Sequence, residues 1–318
     1  MKCYTAIILL LIVPCIIMPQ EIEDVFQQAD QIIGQAHALL NEEKRSEAIA
    51  LLLENKEFFT SANILSSMYG CLSWFYLFTE EYKEAEEAAL GGILLDSEAG
   101  WIKVNLAHAL FLQGRYQEAS ILYGELSNTL ERDYETYTLT IIDDLEFLEY
   151  KGIITAKYIP EITKLRLELE SILEKEQLLS EAIAHYDEAE YNEAIEILES
   201  LKDNIDRRSQ LFPICICYMA DSYYEIMQYS SAEYYYLELK AICEQMYGTE
   251  HPDYAITINS LGSLYRDLGD YAKAESYYLE AKAIYERMYG TEHPDYTTVL
   301  NNPDLLYKDL GDSMIENN

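Results

Sequence analysis

The chain has 318 residues, of which 57 are acidic and 22 are lysine or arginine, so its formal net charge is −35. Nucleic acids and anionic membranes are bound through clustered lysine and arginine, so a charge of this sign argues against both as partners. Hydrophobic residues make up 50% of the chain, which is enough to bury a core and argues against a disordered chain.

The N-terminus has the pattern of an export leader. In MKCYTAIILLLIVPCIIMPQ, one lysine precedes an apolar run from Ala6 to Met18. The run is shorter than the roughly 20 residues of a membrane span, so we expect residues 1–19 to direct export to the periplasm or the medium. Neither an Ala-x-Ala cleavage site nor a good lipobox is present. Cys15 as a lipid-anchored residue, although proline precedes it, and an uncleaved short anchor are the alternatives.

A recurring alanine beside a glutamate organises the rest of the chain. It occurs at Ala48, Ala85, Ala119, Ala194, Ala232 and Ala274. Most distances in sequence between successive alanines equal the length of a two-helix repeat, but the distance from Ala119 to Ala194 is too long for one repeat. We therefore predict repeats over residues 20–126 and 181–312, a degenerate helical hairpin over 127–180 and a tail over 313–318. In the degenerate part, one helix is expected over 134–150 and another from Pro160.

A duplicated nonapeptide, MYGTEHPDY, begins at Met246 and again at Met288. Between the copies, apolar or small residues fall three to four apart from Ile256 to Leu268 and again from Tyr271 to Ile284. Each run has the spacing of one buried helical stripe. Glycine and proline within the nonapeptide end one helix and begin the next. We therefore interpret it as the joint between two hairpins and not as a duplicated active site.

The last unit departs from this pattern. Pro303 takes the place that Leu261 has one unit earlier, and proline inside a helix removes a backbone donor. The chain then reads SMIENN where the second helix should begin. We expect this last unit to be incomplete and frayed.

The motif Tyr-x-x-Ala-Glu, with Leu-Gly about a dozen residues earlier, resembles the tetratricopeptide repeat. The 42-residue period, the EHPDY linker and the helix starts INSLGSLY and VLNNPDLLY resemble the kinesin-light-chain subtype over residues 213–312. The resemblance implies an all-α, right-handed superhelical solenoid of stacked antiparallel helix hairpins. It also implies a bacterial chain, because bacterial repeats of this subtype often precede a caspase-like CHAT peptidase domain or stand alone as scaffolds.

No catalytic constellation accompanies the repeats. The sequence contains no Gly-rich phosphate loop, no His-x-x-x-His pair and no Gly-x-Ser-x-Gly elbow. Cys215 and Cys217 point to opposite sides of a helix and cannot coordinate one zinc ion. We interpret the cysteines as small core residues, with a disulfide between Cys215 and Cys243 as the alternative. The sequence therefore predicts no enzyme, no metal, no cofactor and no small-molecule substrate.

The resemblance also predicts a groove, because family members expose set positions of the first helix of each hairpin on the inner wall. Counting back from the recurring alanines gives Trp74, Trp101, Asn105, His108, Tyr218, Asp221, Tyr224, Asn259, Arg266, Asn301 and Lys308. Aromatic and amide side chains can hold an extended or helical peptide. The alternative for the two tryptophans is that they fill the hairpin core.

The expected function is that of a non-enzymatic scaffold that binds a protein or peptide. Family grooves that capture a C-terminal carboxylate use lysine and asparagine, whereas the groove positions here are mostly apolar, aromatic or acidic. A basic or neutral ligand is therefore expected, with membrane contact only through the leader or a lipid anchor. Two alternatives stay open: a docking portion of a longer protein whose CHAT-like enzymatic domain is absent, and a self-associating module.

Overall fold

The computed structural model describes residues 20–132 and 135–289. These residues are largely α-helical, with one short pair of antiparallel strands. They divide into two compact units, of which unit 1 ends at Leu173 and unit 2 begins at Glu174. The predicted all-α fold of stacked helix hairpins is confirmed.

Unit 1 carries most of the helices. It contains α1 (Gln20–Asn41), α2 (Arg45–Glu54), α3 (Lys56–Ser61), α4 (Leu65–Phe78), α5 (Tyr82–Leu95), α6 (Gly100–Leu112), α7 (Tyr116–Leu126), β1 (Leu130–Arg132), β2 (Glu135–Thr136), α8 (Thr138–Tyr150), a 3-10 turn (Ala156–Tyr158) and the first part of α9 (Ile159–Asp187). The helix predicted over 134–150 thus begins at Thr138. The helix expected from Pro160 begins one residue earlier.

Unit 2 consists of three consecutive hairpins. It contains the second part of α9, α10 (Tyr191–Lys202), α11 (Leu211–Glu225), α12 (Tyr229–Tyr247), α13 (Pro252–Asp267) and α14 (Tyr271–Tyr289). In each hairpin the first helix leads through a short turn into the second. Helices α11 and α12 pack side by side, as do α13 and α14.

The six recurring alanines are the points of closest packing within the hairpins. Ala48, Ala85, Ala119, Ala194, Ala232 and Ala274 are all 0% exposed. A methyl side chain lets the backbones of two helices approach closely, and any larger group there has to displace the facing helix. We call these six residues the anchor alanines.

Every hairpin turn contains one residue in the left-handed conformation, five positions before its anchor alanine. These residues are Glu43, Glu80, Gly114, Ala189, Met227 and Gly269. In the last hairpin the Gly269 N–H donates to the Arg266 carbonyl, and the Asp270 N–H donates to the Tyr265 carbonyl. This pair of backbone hydrogen bonds is a Schellman motif, and the same pair recurs in the other five turns. It ends the first helix and directs the chain back along it.

The first copy of the nonapeptide is the joint that the sequence predicts. Helix α12 ends at Tyr247, Gly248 has a φ of 86°, and α13 begins at Pro252. The His251 side chain caps α13 by accepting the Asp253 N–H at 3.2 Å through Nδ1. The interpretation of this copy as a helix end, a turn and a helix start is confirmed. His251 therefore has a structural task.

Some predictions fall elsewhere. Ile256, which we placed in the buried stripe of α13, is 49% exposed, and its neighbours Tyr254, Ala255 and Ile258 are buried instead. The leader with Cys15, the second nonapeptide from residue 290 onwards, Pro303 and the groove candidates Asn301 and Lys308 lie outside the described residues.

The left-handed turn residues give a stability prediction. Met227 is 73% exposed, so Met227→Gly loses little packing. The change relieves roughly 1–2 kcal/mol of backbone strain in the folded state. The greater conformational entropy of glycine in the unfolded chain offsets about 0.5–1 kcal/mol of this gain. We expect the free energy of unfolding of unit 2, measured with urea, to be about 0.5–1 kcal/mol higher than in the wild type.

The matched control is Gly269→Ala at the equivalent position of the next turn, where φ is 78°. It should lower the free energy of unfolding by about 1 kcal/mol. Shifts of the same sign in both variants would contradict this account of the turns.

Candidate functional site

Trp74 lies in the core of unit 1, where helix α8 covers it. Its ring stacks on Phe147 of α8, with ring centroids 6.2 Å apart and planes 20° apart. The same Phe147 contacts the Phe78 ring edge-on at 5.9 Å. Trp74 is 5% exposed, so α8 occupies the side of α4 on which we predicted a ligand.

Asn105 and His108 of α6 are also buried. The Asn105 Nδ2 donates to the Gly70 carbonyl and to the Ser73 Oγ, each at 3.0 Å. These bonds fix α6 against α4, because a buried amide without partners would cost the desolvation of its donors.

His108 joins three helices of unit 1. Its Nδ1 lies 2.7 Å from the Tyr123 hydroxyl of α7, and its Nε2 lies 3.5 Å from the Asp144 carboxylate of α8. Burial raises the pKa of Tyr123 well above its ordinary value, with the Asp144 charge as a smaller cause. The phenol therefore stays protonated and can donate to Nδ1. The His108 Nε2 is buried and has no hydrogen-bond partner among the described residues.

The prediction that Trp74, Asn105 and His108 line an accessible groove is therefore wrong in this structure. The physical reason is that α8 packs across α4 and α6. Trp101 is partly buried and lies over Gly70, where an added Cβ would come within 2.0 Å of the indole. All four residues thus hold the hairpins of unit 1 together, which is the alternative considered for the tryptophans.

In unit 2 the predicted residues remain partly exposed. We call Tyr218, Asp221, Tyr224, Asn259 and Arg266 the first-helix face of unit 2, because they lie on the first helices α11 and α13. The Tyr224 hydroxyl donates to the Asp267 Oδ2 at 2.5 Å, and Arg266 pairs with the Oδ1 of the same carboxylate at 2.9 Å. The bond from Tyr224 joins the two helices of the face, and the pair with Arg266 lies within α13.

Asp221 is the most enclosed acid of this face. Its Oδ1 accepts the Tyr236 hydroxyl at 2.6 Å, and its Oδ2 lies 3.7 Å from the Cys217 thiol. Burial raises the pKa of Asp221 above its ordinary value, although both hydrogen bonds favour the carboxylate. The face therefore holds a carboxylate whose charge is only partly solvated.

Tyr186 of α9 extends the face and was not predicted from the sequence. Its ring meets Tyr218 edge-on, with centroids 5.2 Å apart. Burial first, then the charges of Asp221 and Glu225, raise the pKa of Tyr186. A sequence signal exists, because Tyr186 stands eight residues before Ala194 as Tyr224 stands eight before Ala232.

Stacked tyrosine pairs stiffen two successive hairpins of unit 2. Tyr223 stacks on Tyr235 at 5.6 Å with planes 9° apart, and 42 residues later Tyr265 stacks on Tyr277 at 5.7 Å with planes 6° apart. Lys273 lies 4.4 Å from the centre of the Tyr265 ring. The repetition of these contacts shows that the sequence period is also a period of side-chain packing.

The cysteines of the described residues are free thiols. Cys215 points to the Leu198 carbonyl of α10 at 3.6 Å, and Cys243 points to the Thr257 hydroxyl of α13 at 3.8 Å. Because the two thiols face different helices, the disulfide that we considered between them is not formed.

Residues 20–132 and 135–289 contain no group of three histidine, cysteine or carboxylate side chains placed to hold a metal ion. None of their helices has both the length and the apolar character of a membrane span.

Together these hairpins define a helical-repeat protein with one open first-helix face. A family model described as a tetratricopeptide repeat matches residues 215–287 and 258–302. This match supports the predicted tetratricopeptide repeats in this part of the chain. In a search of curated proteins, no sequence matches the chain significantly.

Solved structures with similarity to the chain share little sequence with it. BtubC (BKLC) from P. vanneervenii is 15% identical, over 92% of this chain and 85% of that one, with a TM-score of 0.31. A tetratricopeptide repeat protein from Parabacteroides merdae is 13% identical, over 88% and 99%, with a TM-score of 0.31. PilF of Pseudomonas aeruginosa is 18% identical, over 87% and 99%, with a TM-score of 0.30. We draw no functional inference from scores this low.

The contact between α8 and Trp74 gives a second prediction. In a Trp101→Phe background, Trp74 is the one tryptophan left. Phe147→Ala should expose its ring, shift its emission to longer wavelength and lower the free energy of unfolding by about 2 kcal/mol. Ile121→Ala, at an exposed position of α7, is the control and should leave the emission unchanged. An unchanged spectrum for Phe147→Ala would show that α8 does not cover Trp74.

Proposed function

We propose that this chain is a non-enzymatic scaffold that binds a protein or peptide on the first-helix face of unit 2. Tetratricopeptide repeats support an interaction role in general. The observation that carries the choice of face is the contrast between the units. At the predicted groove positions of unit 1, Trp74, Asn105 and His108 are buried and Trp101 lies over Gly70, whereas the five residues of unit 2 are partly exposed.

The face is suited to binding because its side chains are already held in place. Tyr224 is tied to Asp267, Asp221 to Tyr236, and Tyr218 to Tyr186. Side chains that are ordered before a partner arrives lose less conformational entropy on binding. Tyrosine also supplies a large rigid contact area with a polar end, which suits both extended and helical peptides. A basic or neutral ligand is favoured, since the first helices α11 and α13 together carry four acids and one arginine.

The finer family assignment is part of the proposal. We infer that α11–α14 belong to the 42-residue kinesin-light-chain-like subtype of a bacterial protein. The nonapeptide joint with Pro252 and the tyrosine pairs repeated 42 residues apart support it.

We also propose that the chain is exported by its first residues and anchored, if at all, through Cys15. The support is the single lysine before an apolar run. We expect the chain expressed in a bacterium to be recovered outside the cytoplasm with its N-terminus removed. Intact mass spectrometry of the purified chain tests this. An unprocessed Met1 in the cytoplasmic fraction would refute it.

The binding face is tested by photo-crosslinking in cells. Benzoylphenylalanine placed at Tyr218 should crosslink to one or a few discrete proteins. The same group at Tyr234, which is 62% exposed on α12, is the control and should not crosslink to them. A crosslinked protein is then purified, and its affinity for the full chain is measured.

Tyr218→Ala combined with Tyr224→Ala should weaken this affinity roughly tenfold, the effect expected for aromatic hot spots. Tyr234→Ala should leave it unchanged, and circular dichroism should show equal helicity in all variants. Identical crosslinks from both positions, or equal affinity in all variants, would exclude the first-helix face as the binding surface.

A further inference from the structure

One register position of the repeat differs in chemistry between the two units. It is the residue seven positions before each anchor alanine, at the end of the first helix. In unit 1 this residue is Asn41, Phe78 or Leu112, and in unit 2 it is Asp187, Glu225 or Asp267. We call the last three the acidic row.

In unit 1 the chain covers two of these three residues, Phe78 and Leu112, whereas Asn41 is exposed. The Phe78 ring contacts Phe147, and the Leu112 carbonyl accepts the Tyr158 hydroxyl at 2.9 Å. In both cases the covering group is chemically complementary to the residue it covers: an aromatic ring packs on the Phe78 ring, and a hydroxyl donates to the Leu112 carbonyl. A binding partner of unit 2 should likewise be complementary to the acidic residues at this position.

The acidic row is exposed and poorly compensated. Asp267 pairs with Arg266, while Asp187 and Glu225 are in none of the ion pairs found between the described residues. The charges of Asp221 and Glu225 both raise the pKa of Tyr186, so these two carboxylates lie near the same ring. Their fields therefore add along the face.

Tyrosine rings precede two of these acids. Tyr186 stands before Asp187, and Tyr224 stands before Glu225. Elsewhere in unit 2 the chain places its own lysines over tyrosines, with Lys202 at 5.4 Å from Tyr235 and Lys273 at 4.4 Å from Tyr265. Among the described cation–ring contacts, none involves Tyr186 or Tyr224. A ring next to a carboxylate is a favourable place for an ammonium or guanidinium group.

We infer that the partner presents a segment with regularly spaced lysine or arginine side chains to the acidic row, a conclusion that rests on the proposed function. The first helices α11 and α13 are in direct contact through Tyr224 and Asp267, so neighbouring carboxylates are roughly 10 Å apart. In an extended segment of the polyproline II type, which has three residues per turn, side chains three residues apart lie on the same face and are separated by about 9 Å. A basic residue at every third position therefore fits the row.

The test is fluorescence anisotropy with the full chain and short labelled peptides. One peptide carries lysine at every third position, and its counterpart carries glutamine at the same positions. We expect the lysine peptide to bind roughly fivefold more tightly, as two or three exposed charge pairs allow. The advantage should fall as salt is raised, because exposed charges are screened.

Two double variants remove the same charge from different surfaces. Asp187→Asn with Glu225→Gln should reduce the affinity for the lysine peptide to that for the glutamine peptide. Glu193→Gln with Glu196→Gln, at exposed positions of α10, is the control and should leave it unchanged. Equal losses in both variants would overturn the inference, because attraction would then come from the overall charge of the chain.

The two proposals can fail separately. If the glutamine peptide binds as tightly as the lysine peptide and Tyr218→Ala weakens both, the basic partner is refuted while the face stands. If crosslinking at Tyr218 captures nothing and neither peptide binds, the proposed function fails together with this inference.

Discussion

The close approach of two helices at a buried alanine is the constraint on which every hairpin depends. An alanine with no exposed surface leaves no freedom in how far one helix slides along the other. The left-handed residue five positions earlier turns the chain at a fixed distance from this contact. Positions counted from the alanine therefore have the same structural meaning in each hairpin, even where the residues differ.

This fixed register distinguishes the residues that stabilise the fold from those that determine the chemistry of the exposed surface. The anchor alanines and the turns are the same in both units, whereas the position at the end of the first helix is apolar or neutral in unit 1 and acidic in unit 2. In unit 1, α8 covers Trp74 of α4 and His108 of α6. Unit 2 leaves its first helices partly exposed, with tyrosines held by carboxylates. The proposed scaffold function rests on this difference and not on the repeat alone.

The sequence predicts local features well, because helix limits and buried stripes depend on neighbouring residues. The anchor alanines, the joint at Gly248 and Pro252, and the break at Gly269 are all present as expected. The prediction that Ile256 is buried was wrong because the spacing of apolar residues allows the buried stripe to run through a neighbouring residue instead.

The burial of Trp74 and His108 could not be read from the repeat pattern. It depends on Phe147 and Asp144, which lie in a helix far along the chain and in the least regular part of the sequence. The spacing rule identifies a side of a helix and says nothing about what packs on that side. The acidic residues at the ends of the first helices, by contrast, could have been found by comparing the units position by position.

The uneven distribution of aromatic residues has an experimental use. Both tryptophans of the chain, Trp74 and Trp101, belong to unit 1, while unit 2 is rich in tyrosine. Tryptophan emission excited at long wavelength therefore reports on unit 1, and tyrosine absorbance is weighted towards unit 2. Each half of the molecule thus has its own natural optical label, and the melting of each can be followed in one sample of the unmodified chain.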